Sequence, residues 1–119
     1  MFDGRDPLYV QIADQIRSDV LTGALREEEQ VMSTTQYATT FRINPATAAK
    51  AFTELVDEGV LYKRRGIGMF VAAGARQRLL DQRRASFFAD VVEPMLEQAR
   101  VLGITTAEII LRLTQEGPR

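Results

Sequence analysis

The chain contains no cysteine and no histidine in 119 residues. Without cysteine there is no disulfide framework, no thiol nucleophile and no thiolate metal site. Without histidine the commonest general base and the commonest metal ligand are both missing. An enzyme would have to work with carboxylates, lysine, tyrosine or hydroxyls. Long apolar runs are missing too, and none approaches the ~20 residues of a membrane span. The opening MFDGRDPLYVQ has neither a basic n-region nor an apolar h-region, so it does not read as a signal peptide. An excess of charge of one sign is also lacking: 15 basic against 16 acidic residues leave a net charge of −1. A nucleic-acid binder is usually more basic than this. These absences, with 45% hydrophobic and 26% charged residues, predict a soluble, cytoplasmic protein that is not an enzyme and holds no metal or cofactor.

What is present is a sequence of well-punctuated helices. In DPLYVQIADQIRSDVLTG, Asp6 reads as an N-cap and Pro7 as the first helical residue. Tyr9, Ile12, Ile16 and Val20 form an apolar stripe, and Gly23 is the expected stop. ALREEEQVM is polar and reads as irregular. Ser33-Thr34-Thr35-Gln36 has capping-box spacing, so a short helix starts at Ser33 and carries Tyr37, Ala38 and Phe41 inward. Arg42 and Ile43 make a turn. Asn44 caps the next helix, Pro45 starts it and Gly59 ends it, with Ala48, Ala51, Phe52, Leu55 and Val56 as the buried stripe. Two β-prone runs, Val60 to Lys63 and Met69 to Ala72, then flank Arg64-Arg65-Gly66-Ile67-Gly68 and predict a hairpin. Helix, short helix, turn, helix, hairpin is the order of a winged helix-turn-helix.

The second capped helix carries the chemistry. INPATAAKAF starts with almost no side-chain bulk, and small residues let a helix backbone approach the floor of a DNA major groove. Asn44, Pro45, Ala46, Thr47 and Lys50 would stand at its leading end. Thr47 reaches a phosphate or a thymine methyl, and Lys50 a phosphate or guanine. Helix N-termini at Ser33 and Asn44 offer N–H groups to phosphates. Lys63, Arg64 and Arg65 at the hairpin tip form a basic wing. Gly66 and Gly68 permit positive φ and close backbone approach there. The competing reading of these features is two ordinary core helices and a solvated charged turn. Between Arg42 and Phe70 the bases lie at the helix start and on the wing, whereas Glu54, Asp57 and Glu58 gather at the far end of the helix. That segregation suits a local DNA-facing patch on a mildly acidic chain.

From Ala75 to Leu102 the pattern is helical, with Pro94 as a kink or division. Gly103 breaks it, and Thr105 to Glu108 is a second capping box opening a last helix. This tail is too short to build its own core, yet its apolar stripe is wide. Leu80, Phe87, Phe88, Val91, Val92, Met95, Leu96, Leu102, Ile109 and Leu113 therefore need cover, from the first domain or from a second copy, and the second copy is the expected one. Asp81, Asp90, Glu93 and Glu97 read as helical surface carboxylates. No Gly-x-Gly-x-x-Gly or Walker sequence occurs.

Taken together, these residues resemble the GntR family of bacterial transcription regulators. Pro7-Leu8-Tyr9-Val10-Gln11-Ile12, Gly23-Ala24-Leu25, Ser33, Tyr37-Ala38, Asn44-Pro45-Ala46-Thr47, Ala51-Phe52, Glu58-Gly59-Val60-Leu61 and Gly66-Ile67-Gly68-Met69-Phe70-Val71 follow in the family's order. The short tail resembles the YtrA subfamily, whose effector or dimerisation domain is unusually small. The resemblance implies a mainly α fold with a small β-hairpin. Residues 1–74 would be a winged helix-turn-helix DNA-binding domain and residues 75–119 a C-terminal helical dimerisation segment. It implies a homodimer on a palindromic double-stranded operator, acting as a repressor, with an unidentified small-molecule effector and no membrane. DNA contacts would come from Ser33, Thr35, Asn44, Thr47, Lys50, Arg65 and Gly66. The chain departs from the family at three places. Thr35 stands where an arginine opens the second helix, Ala49 where another is common, and Glu27-Glu28 where Pro-Gly precedes that helix. The missing arginines leave an alternative open: a winged helix that has become a protein-interaction module, with weakened or no DNA binding.

Overall fold

The computed structural model describes residues 5–116. Its elements run α1 (Leu8–Thr22), β1 (Gln30–Val31), α2 (Thr34–Phe41), α3 (Pro45–Asp57), β2 (Leu61–Arg64), β3 (Gly68–Val71), α4 (Ala75–Phe87), α5 (Glu93–Leu102) and α6 (Thr106–Glu116). The chain divides into two compact units after Asp81, inside α4. The expected boundary at Gly74 falls where α4 begins.

In the first unit α1, α2 and α3 pack over a small antiparallel sheet. Ile12, Ile16 and Val20 of α1 meet Tyr37 and Ala38 of α2 and Ala48, Ala51, Phe52 and Leu55 of α3 in one apolar cluster. Val31, Leu61 and Val71 close it from the sheet, and Ala75 and Leu79 from the start of α4. The capping box at Ser33 forms as its spacing requires. Ser33 Oγ accepts from Gln36 N at 3.0 Å, and Gln36 Oε1 accepts from Ser33 N at 3.0 Å. Asn44 Oδ1 accepts from Ala46 N at 2.8 Å. Between the two helices Arg42 takes a left-handed φ of 55°, and Ile43 N closes back on Ala38 O at 2.9 Å.

Four details differ from the sequence reading. The first residue before α1 is Pro7, with no side-chain cap, so Asp6 does not cap this helix. Val56 is 37% exposed because it lies beyond the edge of the stripe defined by Ala48, Phe52 and Leu55. The polar segment before α2 contains a third strand: Gln30 and Val31 pair with Phe70 and Met69, giving sheet order β1-β3-β2. Glu28 N to Val71 O (2.8 Å) and Val71 N to Glu29 O (2.9 Å) extend that pairing. Finally, the helix from Ala75 does not simply kink at Pro94. Proline lacks an N–H and its ring crowds the carbonyl four residues back. The backbone widens just ahead of it into a π-helical turn over Phe88–Val92, and Glu93 N–H donates to Phe88 O, five residues earlier.

The second unit begins at Gln82 and contains that turn. Gly103 ends α5 with a left-handed φ of 74°. Thr105 Oγ1 accepts from Glu108 N at 3.1 Å and Glu108 Oε2 accepts from Thr105 N at 3.3 Å, the second capping box.

Leu55 is fully buried at the centre of the first core. Leu55→Ala should therefore lower unfolding stability by about 2–5 kcal/mol, read from urea denaturation of the full chain. A loss under about 1 kcal/mol would mean that the cavity collapses and that Leu55 does not organise this core.

Candidate nucleic-acid interface

The leading end of α3 is as bare in space as in sequence. Asn44, Pro45 and Ala46 are exposed and Thr47 is half-buried, while Ala48 turns fully into the core. Pro45 has no N–H to leave unsatisfied in the first turn. The Asn44 carbonyl accepts from Thr47 N (3.0 Å) and Ala48 N (3.1 Å), so this end of the helix is firmly closed.

Beside it lies an open groove of about 520 Å³. Ser33 and Thr35 at the start of α2, Ala49 and Thr53 on α3, and Lys63 and Met69 on the wing strands line it. The groove thus brings together three of the predicted contact residues, Ser33, Thr35 and Lys63. It also holds both positions at which the expected arginines are replaced, Thr35 and Ala49. Asn44, Pro45, Ala46 and Thr47 lie outside the groove, at the helix tip. Lys50 points elsewhere: its Nζ stands 4.0 Å from the centre of the Tyr9 ring on α1. This cation–π contact holds the ammonium on the α1 side of α3, away from the wing.

The wing is built as a tight turn, with Ile67 N donating to Arg64 O at 2.9 Å. Gly66 sits at its third position with φ 75° and no atom within 4 Å of where a Cβ would stand. Glycine takes that conformation without strain, and the bare site leaves the tip free to approach a surface. At Gly68, φ is 147° and a Cβ would meet Gln30 Nε2 at 2.6 Å. That same amide donates to Ile67 O at 3.1 Å, so β1 clamps the base of the wing. Gln30 was not legible as a functional position, because its partner lies 37 residues away. Arg64 stacks over Phe70, 5.0 Å from the ring centre, and Phe70 stacks on Tyr62 at 5.8 Å. Tyr62 donates to Glu28 Oε2 at 2.6 Å, and that carboxylate holds the Tyr62 hydroxyl above its usual pKa.

Arg42, Lys50, Lys63, Arg64 and Arg65 are all exposed. None of them is in an ion pair among the described residues. Glu58, at the far end of α3, is instead held by a forked bond from Arg17, which also reaches Asp14 at 2.6 Å. Both carboxylates raise the Arg17 pKa, the Glu58 hydrogen bond most. These five cations of the turn, α3 and the wing thus have no acidic partner among the described residues, while Glu58 and Asp14 are both paired with Arg17.

The sequence profile of the bacterial regulatory proteins of the gntR family matches residues 8–71. The chain belongs to the GntR family. Among its relatives are two HTH-type regulators of Bacillus subtilis (strain 168). YhcF is 29% identical over 109 residues, covering 92% of this chain and 88% of YhcF. The repressor YtrA is 32% identical over 75 residues, covering 63% of this chain and 58% of YtrA. A transcriptional regulator from Oenococcus oeni has a similar structure, with TM-score 0.82, 26% identity and coverage of 97% and 94% of the two chains. The AraR DNA-binding domain, solved in complex with operator ORX1, matches 60% of this chain and 93% of its own at TM-score 0.56 and 28% identity. The protein is accordingly a DNA-binding transcription regulator and not an enzyme. Among the described residues no helix is long and apolar enough to cross a membrane, and no group of three acidic side chains is placed to hold a metal.

Ala49 is exposed at the groove wall, so enlarging it disturbs little packing. Ala49→Arg should tighten binding to a DNA duplex by about 1–3 kcal/mol and steepen the salt dependence by about one unit, measured by fluorescence anisotropy. Unchanged affinity would place the groove away from the DNA.

Proposed function

We propose that this regulator is a cytoplasmic repressor that binds a palindromic operator as a two-fold homodimer. The observation that carries the DNA contact is the set of free cations around a closed, bare helix tip and an open groove. Asn44, Pro45, Ala46 and Thr47 meet base edges in the major groove. Ser33, Thr35 and Lys63 face the backbone, and Arg64, Arg65 and Gly66 take the wing to the adjacent groove. Lys50 contributes from its seat on Tyr9 as a phosphate contact at the α1 side. The YtrA name supports repression, and the AraR–operator complex supports the placement of the winged unit on DNA.

The dimer rests on the second unit. Phe88 is 67% exposed, and Phe87, Val91, Met95, Leu96, Leu102 and Leu113 are exposed as well. Val92 and Ile109 are half-buried, as is Leu80 in the part of α4 that belongs to the first unit. In that unit Ala99 is the one described apolar residue that is fully enclosed. A groove of about 440 Å³ between α5 and α6, lined by Met95, Ile104, Ile109 and Leu113, is ready to receive apolar side chains. Such a surface is far more apolar than a soluble monomer keeps open, and a self-complementary two-fold contact covers it twice over. An unidentified small-molecule effector would act by changing the spacing or orientation of the two winged units.

Binding to a duplex from upstream of the chain's own gene, followed over a salt series, tests the DNA contact. Affinity should fall steeply with salt, with a log–log slope of about −0.9 per phosphate contact. Lys63→Ala should reduce that slope by about one unit. The second reading, a protein-interaction module, is favoured by the uncharged Thr35 and Ala49 in the groove. Absence of binding at low salt would establish it instead. For the dimer, Phe88→Asp should halve the mass seen by light scattering while the winged unit keeps its fold; an unchanged dimer mass would move the interface elsewhere.

A further inference from the structure

On the side of the winged unit bounded by α1, β1 and α2 lies a cavity of about 310 Å³. Its apolar walls include Leu25 and the rings of Tyr37, Phe41 and Phe52. Asp19 and Glu29 are its acidic lining residues, and no lysine or arginine lines it. Each carboxylate has one neutral donor: Gln15 Nε2 to Asp19 Oδ1 at 3.0 Å, and Arg26 N to Glu29 Oε1 at 2.9 Å. Neither is in an ion pair among the described residues.

Tyr37 supplies a second, independent observation. It is only 7% exposed, lines the cavity, and its hydroxyl makes no hydrogen bond among the described residues. No fully buried side-chain nitrogen or oxygen lacks a partner, so this hydroxyl keeps some contact with solvent. A tyrosine enclosed this far normally finds a partner for its O–H. Burial and the nearby Asp19 charge both push its pKa up, so the hydroxyl stays protonated and able to donate or accept.

We infer that this cavity is a binding site for a small organic cation, an ammonium or guanidinium on a compact apolar body. The aromatic walls take the body, and their faces favour a nearby positive charge. Asp19 and Glu29 supply the charge that the cavity leaves unbalanced, and Tyr37 supplies the hydrogen bond. The volume is at the lower end of small-molecule sites, so the body is one ring or a short chain. Tyr37 lies on the same short helix as Thr35. Phe52 lines both this cavity and the groove, so an occupant would touch the groove's wall independently of any effector in the second unit.

The test uses the full chain without DNA, so its failure leaves the DNA reading untouched. Amide shifts of the 15N-labelled protein are followed on addition of phenethylammonium, with 2-phenylethanol and phenylacetate as neutral and anionic counterparts. Saturable shifts should appear at Asp19, Leu25, Glu29, Val31 and Tyr37, and the neutral and anionic probes should bind at least about tenfold more weakly. Asp19→Asn, which keeps the Gln15 bond, should weaken the ammonium about tenfold, and Tyr37→Phe about threefold. If Asp19→Asn fails to fold, Glu29→Gln on the exposed loop gives the same reading. Equal binding of 2-phenylethanol, indifference to both carboxylate substitutions, or no saturable shift overturns the inference.

Discussion

The packing of α3 against its neighbours governs the proposed DNA-facing side. Ala48 and Ala51 are both fully buried, and their small size sets how near the helix axis comes to α1 and α2. Phe52 and Leu55 then fill the space further along, with the Tyr37 ring meeting Phe52 edge-on at 5.6 Å. Because the inward face is anchored by alanine and the outward tip is also alanine and threonine, the whole front of α3 is a thin rod. A larger residue on the inner face would push the tip outward; a larger one at the tip itself, at Ala46 or Thr47, would hold the backbone off a groove floor. The same residue type therefore serves two different constraints on opposite sides of one helix.

Charge is arranged by removal as much as by addition. The chain is almost neutral overall, so its field over the winged unit depends on which charges are free. Arg17 occupies Glu58, and Tyr62 donates to Glu28. The bases of the turn, α3 and the wing have no acidic partner among the described residues. Exposed pairs such as Arg17–Asp14 add little stability. Their larger effect here is to set the balance of the surface that remains. Lys50 is positioned in another way: stacked on Tyr9, its side-chain freedom is already restricted.

Local chemistry made much of this legible in the sequence. Ser33-x-x-Gln36, Asn44-Pro45 and Thr105-x-x-Glu108 specify helix starts through bonds within a few residues, and each formed as its spacing implied. Gly66 marked the wing tip for the same reason. What stayed hidden depended on distant partners. β1 is two residues long and exists because β3 is there to pair with it; no two-residue run announces a strand. Gln30 clamps the wing, and Lys50 turns toward Tyr9, through contacts that no local pattern encodes. The π-turn before Pro94 lies between these cases. Proline announced a disturbance, but whether a helix kinks, breaks or widens is decided by the strain of the surrounding turns.

That widened turn bears on the proposed assembly. A regular helix advances its apolar stripe by 100° per residue. The π-turn over Phe88–Val92 inserts extra backbone into one turn, so the stripe before it and the stripe after it are no longer in the register of a single straight helix. Phe87 and Phe88 pack edge-to-face at 5.7 Å on one side of this step, and Met95 and Leu96 follow on the other. A partner covering both must follow the step, which a flat or generic apolar surface does not do. In the proposed homodimer a second copy would carry the same step in the reverse direction, and with the two-fold axis beside it each protomer's offset would face its counterpart. In the proposed homodimer the widened turn ahead of Pro94 would thus also act as a specificity element, matching a second copy better than a loosely fitting hydrophobic partner.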